Sequence, residues 1–160
     1  MRRNSGFTAY ELAVTLAIVA IMATVTMPSF LSWLTAHRLR GASINLMADM
    51  EMAKIRAIRE NTFVAVQFAA DKYRIFIDNG SGGGVAGDWI QNGSERLVID
   101  RPFPAGVSIP LAELALADNR VRFTSRGLPA DLLNAVSIPL VNPTGRRDIG
   151  LNRLGRLWVQ

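Results

Sequence analysis

From Leu12 to Ala36 the chain carries no charged side chain, a run of 25 residues. At about 1.5 Å rise per residue such a helix crosses a hydrocarbon layer of about 30 Å. Arg2 and Arg3 precede it, and a basic flank predicts an N-terminus that stays in the cytoplasm. A cleaved secretory signal needs a shorter apolar stretch and a small-x-small site behind it. Met22, Val25 and Met27 interrupt any such site, so the run reads as an anchor. It is either a plain anchor or one with an added function.

Glu11 bears on that choice, because it stands at the mouth of the apolar run. One reading is an interfacial carboxylate just outside the membrane core. The other is a charge in need of a partner, since ionised groups are costly inside a bilayer. A cut between Gly6 and Phe7 would place a new amine four residues before Glu11. Four residues are one helical turn, so ammonium and carboxylate would share a face.

The segment Gly6-Phe7-Thr8-Ala9-Tyr10-Glu11 follows a short basic leader and opens a long apolar helix. It resembles the processing motif of type IV pilins and type II secretion pseudopilins, G-F-T-L-x-E. Ala9 and Tyr10 depart mildly from that pattern; Gly6, Phe7 and Glu11 match it. Pro28 falls where these proteins carry a helix-bending proline. The resemblance implies a prepilin peptidase that cleaves after Gly6 and N-methylates Phe7. The mature helix would wait in the inner membrane and then enter a helical filament of other pilins or pseudopilins. Glu11 would meet the Phe7 amine of a neighbour and set the register. A charge pair in an apolar core suits registry more than raw stability.

After Ala36 the pattern changes. Leu39, Ala42, Leu46, Met50, Ala53 and Ala57 recur at spacings of three and four, the mark of an amphipathic helix reaching about Asn61. Met47, Met50 and Met52 read as core filling. From Thr62 onward the chain reads as β. The expected strands are 63–68, 73–77, 97–99, 107–109, 121–123, 136–138 and 157–159, punctuated by prolines. Asp78 to Gly84 reads as a flexible loop. The expected fold is α+β: a long N-terminal helix packed on a C-terminal antiparallel β domain of two small sheets. Its parts are a leader (1–6), a transmembrane or filament-core helix (7–36), an amphipathic continuation (37–61) and a β-rich globular domain (62–160). The tail motifs Phe123-Thr124-Ser125-Arg126-Gly127 and Gly155-Arg156-Leu157 resemble the GspH/FimT type of minor pilin, which the resemblance places in the periplasm on a single-pass anchor.

Catalysis has little to work with. There is no Cys, and His37, just past the apolar run, is the one His. No thiolate, His-based metal site or triad follows, and no catalytic residue or cofactor is expected. Gly80-Ser81-Gly82-Gly83-Gly84 lacks the Lys-Ser/Thr and the helix of a phosphate loop. Asp78, Asn79 and Asp88 contain the oxygens a calcium ion takes, without EF-hand spacing.

The chain is basic, with a net charge of +5. Arg146, Arg147, Arg153 and Arg156 crowd the tail, with Arg120, Arg122 and Arg126 upstream. They read either as a solvated or subunit-pairing surface, or as a face for DNA phosphates. The resemblance to FimT-like minor pilins, whose basic C-terminal region Arg156 and the Arg146-Arg147 pair match loosely, leaves DNA as an alternative partner. Mass spectrometry of the mature chain should find an N-methylated Phe7 at its start; an intact Met1 or an Ala-x-Ala-type cut would overturn the leader assignment.

Overall fold

The computed structural model describes residues 7–130 and 132–160. Gly6 and the rest of the 1–6 leader lie outside them. The chain divides into two compact units, Met1–Leu34 and Thr35–Gln160. One helix, α1 (Ala9–Glu60), begins in the first and ends in the second.

In the first unit every side chain from Phe7 to Trp33 is exposed. Helix polar groups without water must be satisfied within the helix. The hydroxyls of Thr15, Thr24, Thr26 and Ser32 do this by donating back to the carbonyls of Leu12, Ile21, Met22 and Ser29, at 2.7–2.9 Å. Pro28 lies inside the helix. Its ring has no N–H, so the helical bond to the carbonyl of Thr24 is missing there.

In the second unit α1 ends in a left-handed Asn61, at φ 50°. The N–H of Thr62 reaches back to the carbonyl of Ala57 at 3.2 Å. A left-handed Asn after the last helical residue is a common stop. The helix buries Leu39, Ala42, Leu46, Met50, Ala53 and Ala57, the six positions of the predicted stripe. Three of the six are alanines, which let the backbone approach the sheets closely.

Seven strands follow: β1 (Phe63–Phe68), β2 (Lys72–Asp78), β3 (Leu97–Pro102), β4 (Arg120–Phe123), β5 (Val136–Asn142), β6 (Gly145–Leu151) and β7 (Leu157–Val159). They form two antiparallel sheets, in the orders β3-β2-β1-β4 and β5-β6-β7. One contiguous core joins the helix stripe to Val64, Ile75 and Phe123 of the first sheet and to Ile138, Ile149 and Leu151 of the second. A polar pin crosses it. The buried Tyr73 hydroxyl donates to Asp49 on α1 at 2.5 Å, and Arg101 pairs with the same carboxylate at 3.3 Å. Burial, then the hydrogen bond to Asp49, pushes the Tyr73 phenol well above its usual range, so it stays protonated as the donor.

Two readings of the sequence need correction. Residues 107–109 form no strand. Ser108 exchanges two backbone bonds with Val141 of β5, while the N–H of Ile109 bonds Ala70 beside β2. Val107 and Ile109 are buried, so their apolar alternation reflects core contact rather than a ladder. The segment Gly145–Leu151, in turn, is a full strand that its polar start conceals. Pro139 sits in β5, whose place at the edge of its sheet tolerates a missing donor.

The turns before β5 and before β7 meet at the helix. Gly127 and Gly155 both take φ 74°, and a Cβ on Gly155 would stand 2.6 Å from the carbonyl oxygen of Gly127. Gly155→Ala should therefore cost about 1–3 kcal/mol of stability, read as a lowered urea midpoint of the full chain by circular dichroism; an unchanged midpoint would contradict this packing.

Candidate functional site

The first candidate site is the start of α1. Thr8 and Glu11 form a capping box. The Thr8 N–H and hydroxyl donate to Glu11 Oε2 at 2.9 and 2.8 Å, and the Glu11 N–H donates to Thr8 Oγ1 at 3.2 Å. The carboxylate thus starts the helix, a role the charge argument overlooked although the Thr-x-x-Glu spacing carries it. Phe7 is 85% exposed beside it. Pro28 lies some five turns further along the same unit.

The second candidate is the arginine-rich tail, and the four predicted arginines do not share one place. β6 alternates its faces, so Arg146 and Arg147 point to opposite sides of the sheet. Arg147 has the parity of the buried Ile149 and Leu151. Arg146 lies on the outer face, bonded to Asp148 through Nε at 2.9 Å and Nη2 at 3.0 Å, and to Glu113 through Nη1. Ser137 donates to Asp148 at 2.7 Å. Arg146 is thereby neutralised. Arg153 and Arg156 sit beyond the far end of β6, in the turn to β7, and are exposed. Among the described residues neither has a carboxylate partner.

The upstream arginines divide as well. Arg120 donates to the carbonyl of Trp89 at 2.8 Å, and Arg122 donates to that of Gly87. The Arg122 guanidinium lies 4.5 Å from the Phe63 ring and 4.7 Å from the Trp89 ring. Both arginines clamp the glycine loop onto the first sheet. Arg126 is exposed in the turn after β4.

That loop is organised rather than loose, which corrects the reading from its glycines. Asp78, fully buried, accepts from the N–H groups of Gly87 at 2.5 Å and Trp89 at 3.1 Å. Buried Glu95 accepts from Gly80 at 2.8 Å and Asn92 at 3.1 Å. Asp88 accepts from the Ile90 N–H at 2.9 Å and the Asn92 amide at 2.5 Å. The Asp78 and Asp88 oxygens thus accept hydrogen bonds from within the loop. Among the described residues no group of three His, Cys, Asp or Glu is placed to hold a metal.

These carboxylates respond to pH in opposite senses. Burial pushes the Asp78 carboxyl above its usual range, against the pull of its two amides. Its ionisation costs the fold stability as pH rises from the ordinary Asp range to that raised value. Asp148 is held below the usual range, first by the hydrogen bonds from Arg146. It contributes stability above the ordinary Asp range, lost as pH falls through its lowered value. Arg146→Met should therefore raise the midpoint pH of acid unfolding; an unmoved midpoint would show that the pair contributes nothing.

The family model described as Type II transport protein GspH matches residues 42–155. Two crystal structures of the type IV minor pilin FimU of Pseudomonas aeruginosa share the fold. One superposes with a TM-score of 0.58 at 16% identity, covering 80% of this chain and 92% of that one. The other gives 0.54 at 15% identity, covering 76% and 91%. Among curated protein sequences none matches.

Proposed function

Because the chain belongs to the GspH family, we propose that it is a minor pilin or pseudopilin, working by assembly rather than catalysis. Prepilin peptidase cuts between Gly6 and Phe7 and methylates the Phe7 amine. Residues 7–36 hold the mature chain in the inner membrane as a single pass, with the β domain in the periplasm. The chain then enters a type IV pilus or a type II secretion pseudopilus with other subunits.

One observation carries this reading. The apolar helix is long enough to cross a membrane, and its side chains from Ala9 to Trp33 are exposed. Such a surface requires lipid or other helices around it. Lipid serves before assembly and neighbouring helices serve after it. Pro28, by removing one backbone bond, supplies a place where the helix can bend as it leaves one setting for the other.

Glu11 has two duties on this reading, and they are separable. As a cap it needs an acceptor oxygen. As a register mark for the Phe7 amine of a neighbour it needs a charge. A DNA-binding role is the second reading. It rests on Arg153 and Arg156, which no carboxylate neutralises among the described residues, with Arg147 beside the core and Arg146 already paired.

The test is the content of sheared filaments. Glu11→Gln keeps a carbonyl acceptor for Thr8 and removes the charge. It should leave cleavage intact and deplete the chain from the filament fraction as strongly as Glu11→Ala does. If Glu11→Gln assembled like the wild type while Glu11→Ala failed, the carboxylate would serve as a cap alone.

A further inference from the structure

Three elements converge at the C-terminal end of α1. In the turn after β4, the Gly127 N–H bonds Thr124 at 2.8 Å and the Thr124 N–H bonds Leu128 at 2.9 Å. In the turn before β7, the Asn152 side chain accepts from the N–H groups of Leu154 at 3.0 Å and Arg156 at 2.9 Å. The two turns touch through Gly127 and Gly155. A Cβ on Gly127 would also stand 2.7 Å from Ile58 Cδ1, and Lys54 donates to the Gly155 carbonyl at 2.9 Å. Ile58, Leu128 and Leu154 are thus gathered at one place, 50%, 40% and 72% exposed. Ile55 stands beside Ile58 on the helix, also exposed. Arg126, Arg153 and Arg156 lie in the same two turns, all exposed.

We propose that this face docks another protein, one that presents carboxylates around an apolar centre. Two features point to that chemistry. None of the three arginines has an ion pair among the described residues, while the nearby Glu51 is taken by Lys54 at 2.6 Å. The patch therefore keeps a net positive rim. Aliphatic tips inside an arginine rim match the apolar core and polar rim of protein interfaces. A nucleic acid would use the arginines through its phosphates and leave the leucines and isoleucines in water. The turns are already fixed by Asn152 and by the glycine contact, so little chain order is lost on docking.

Most of this chain's own carboxylates are engaged: Glu51, Glu60, Asp100, Glu113 and Asp148 are in ion pairs, and Asp78 and Glu95 are buried. Asp71 and Asp118 stay exposed, so an adduct of the chain with itself would identify a second copy as the partner. That the partner is a neighbouring filament subunit rests on the function proposed above. That it is a protein with an acidic rim does not.

A photocrosslinking residue tests this in cells making the full chain. Leu154→benzoylphenylalanine should yield one protein adduct, with the crosslinked peptide bearing Asp or Glu by mass spectrometry. Arg153→Glu with Arg156→Glu should reduce that adduct about tenfold without changing the amount of chain. Leu133→benzoylphenylalanine, 87% exposed beside Arg120 and Leu132, should not yield it. Adducts with nucleic acid alone, no protein adduct, or an adduct indifferent to charge reversal would overturn the docking face. A charge-sensitive protein adduct formed while the chain is missing from sheared filaments would keep the face and remove the filament reading.

Discussion

The stripe from Leu39 to Ala57 and the two sheets bury each other, and the globular unit depends on that contact. Neither sheet could stand alone. A three-stranded and a four-stranded sheet each leave one apolar face, and here both faces close over the same helix. With no disulfide available, this burial supplies most of the cohesion, since apolar area removed from water is the dominant favourable contribution to folding. The Tyr73–Asp49–Arg101 pin adds direction to it. A buried carboxylate on the helix accepts its partners in one register only, so the helix cannot slide by a turn without stranding a charge.

The two ends of α1 solve opposite problems with the same backbone. Beyond Thr35 the helix shows one apolar stripe and keeps its charges outside it, the buried Asp49 excepted. Before Leu34 it is apolar all round, and its hydroxyls turn inward to its own carbonyls. A helix hydrophobic on every side belongs in a nonaqueous or packed setting. The division into two units falls where the pattern changes.

Much of this was legible in the sequence because it is local. Periodicity of three and four located the helix stripe position by position, and alternation located β1, β2 and β4. The start motif around Gly6 and Glu11 pointed to the family. What escaped depends on distant partners. Gly145–Leu151 opens with Gly-Arg-Arg-Asp, which reads as loop; it is a strand because Arg146 and Asp148 pair across the outer face while Ile149 and Leu151 fill the core. The glycine loop reads as flexible because its order comes from Asp78 and Glu95, which lie outside the glycine run. The four tail arginines look like one cluster in a list of letters, but a strand separates its two ends by some 17 Å. Arg126, outside that cluster, is the residue that the fold brings beside Arg153 and Arg156.

The ties within the glycine loop are interleaved. Asp78 holds Gly87 and Trp89, while Glu95 holds Gly80 and Asn92, so each tie spans one foot of the other. A loop closed by a single tie can unzip from its base. This one cannot peel from either end, because releasing one carboxylate leaves the other still bridging the segment. Full opening therefore needs both ties released, and a protease nick between Gly82 and Val85 would leave both halves fastened to the domain. The loop behaves as a knotted clasp whose length is fixed, in a stretch whose composition would otherwise invite insertion and cleavage.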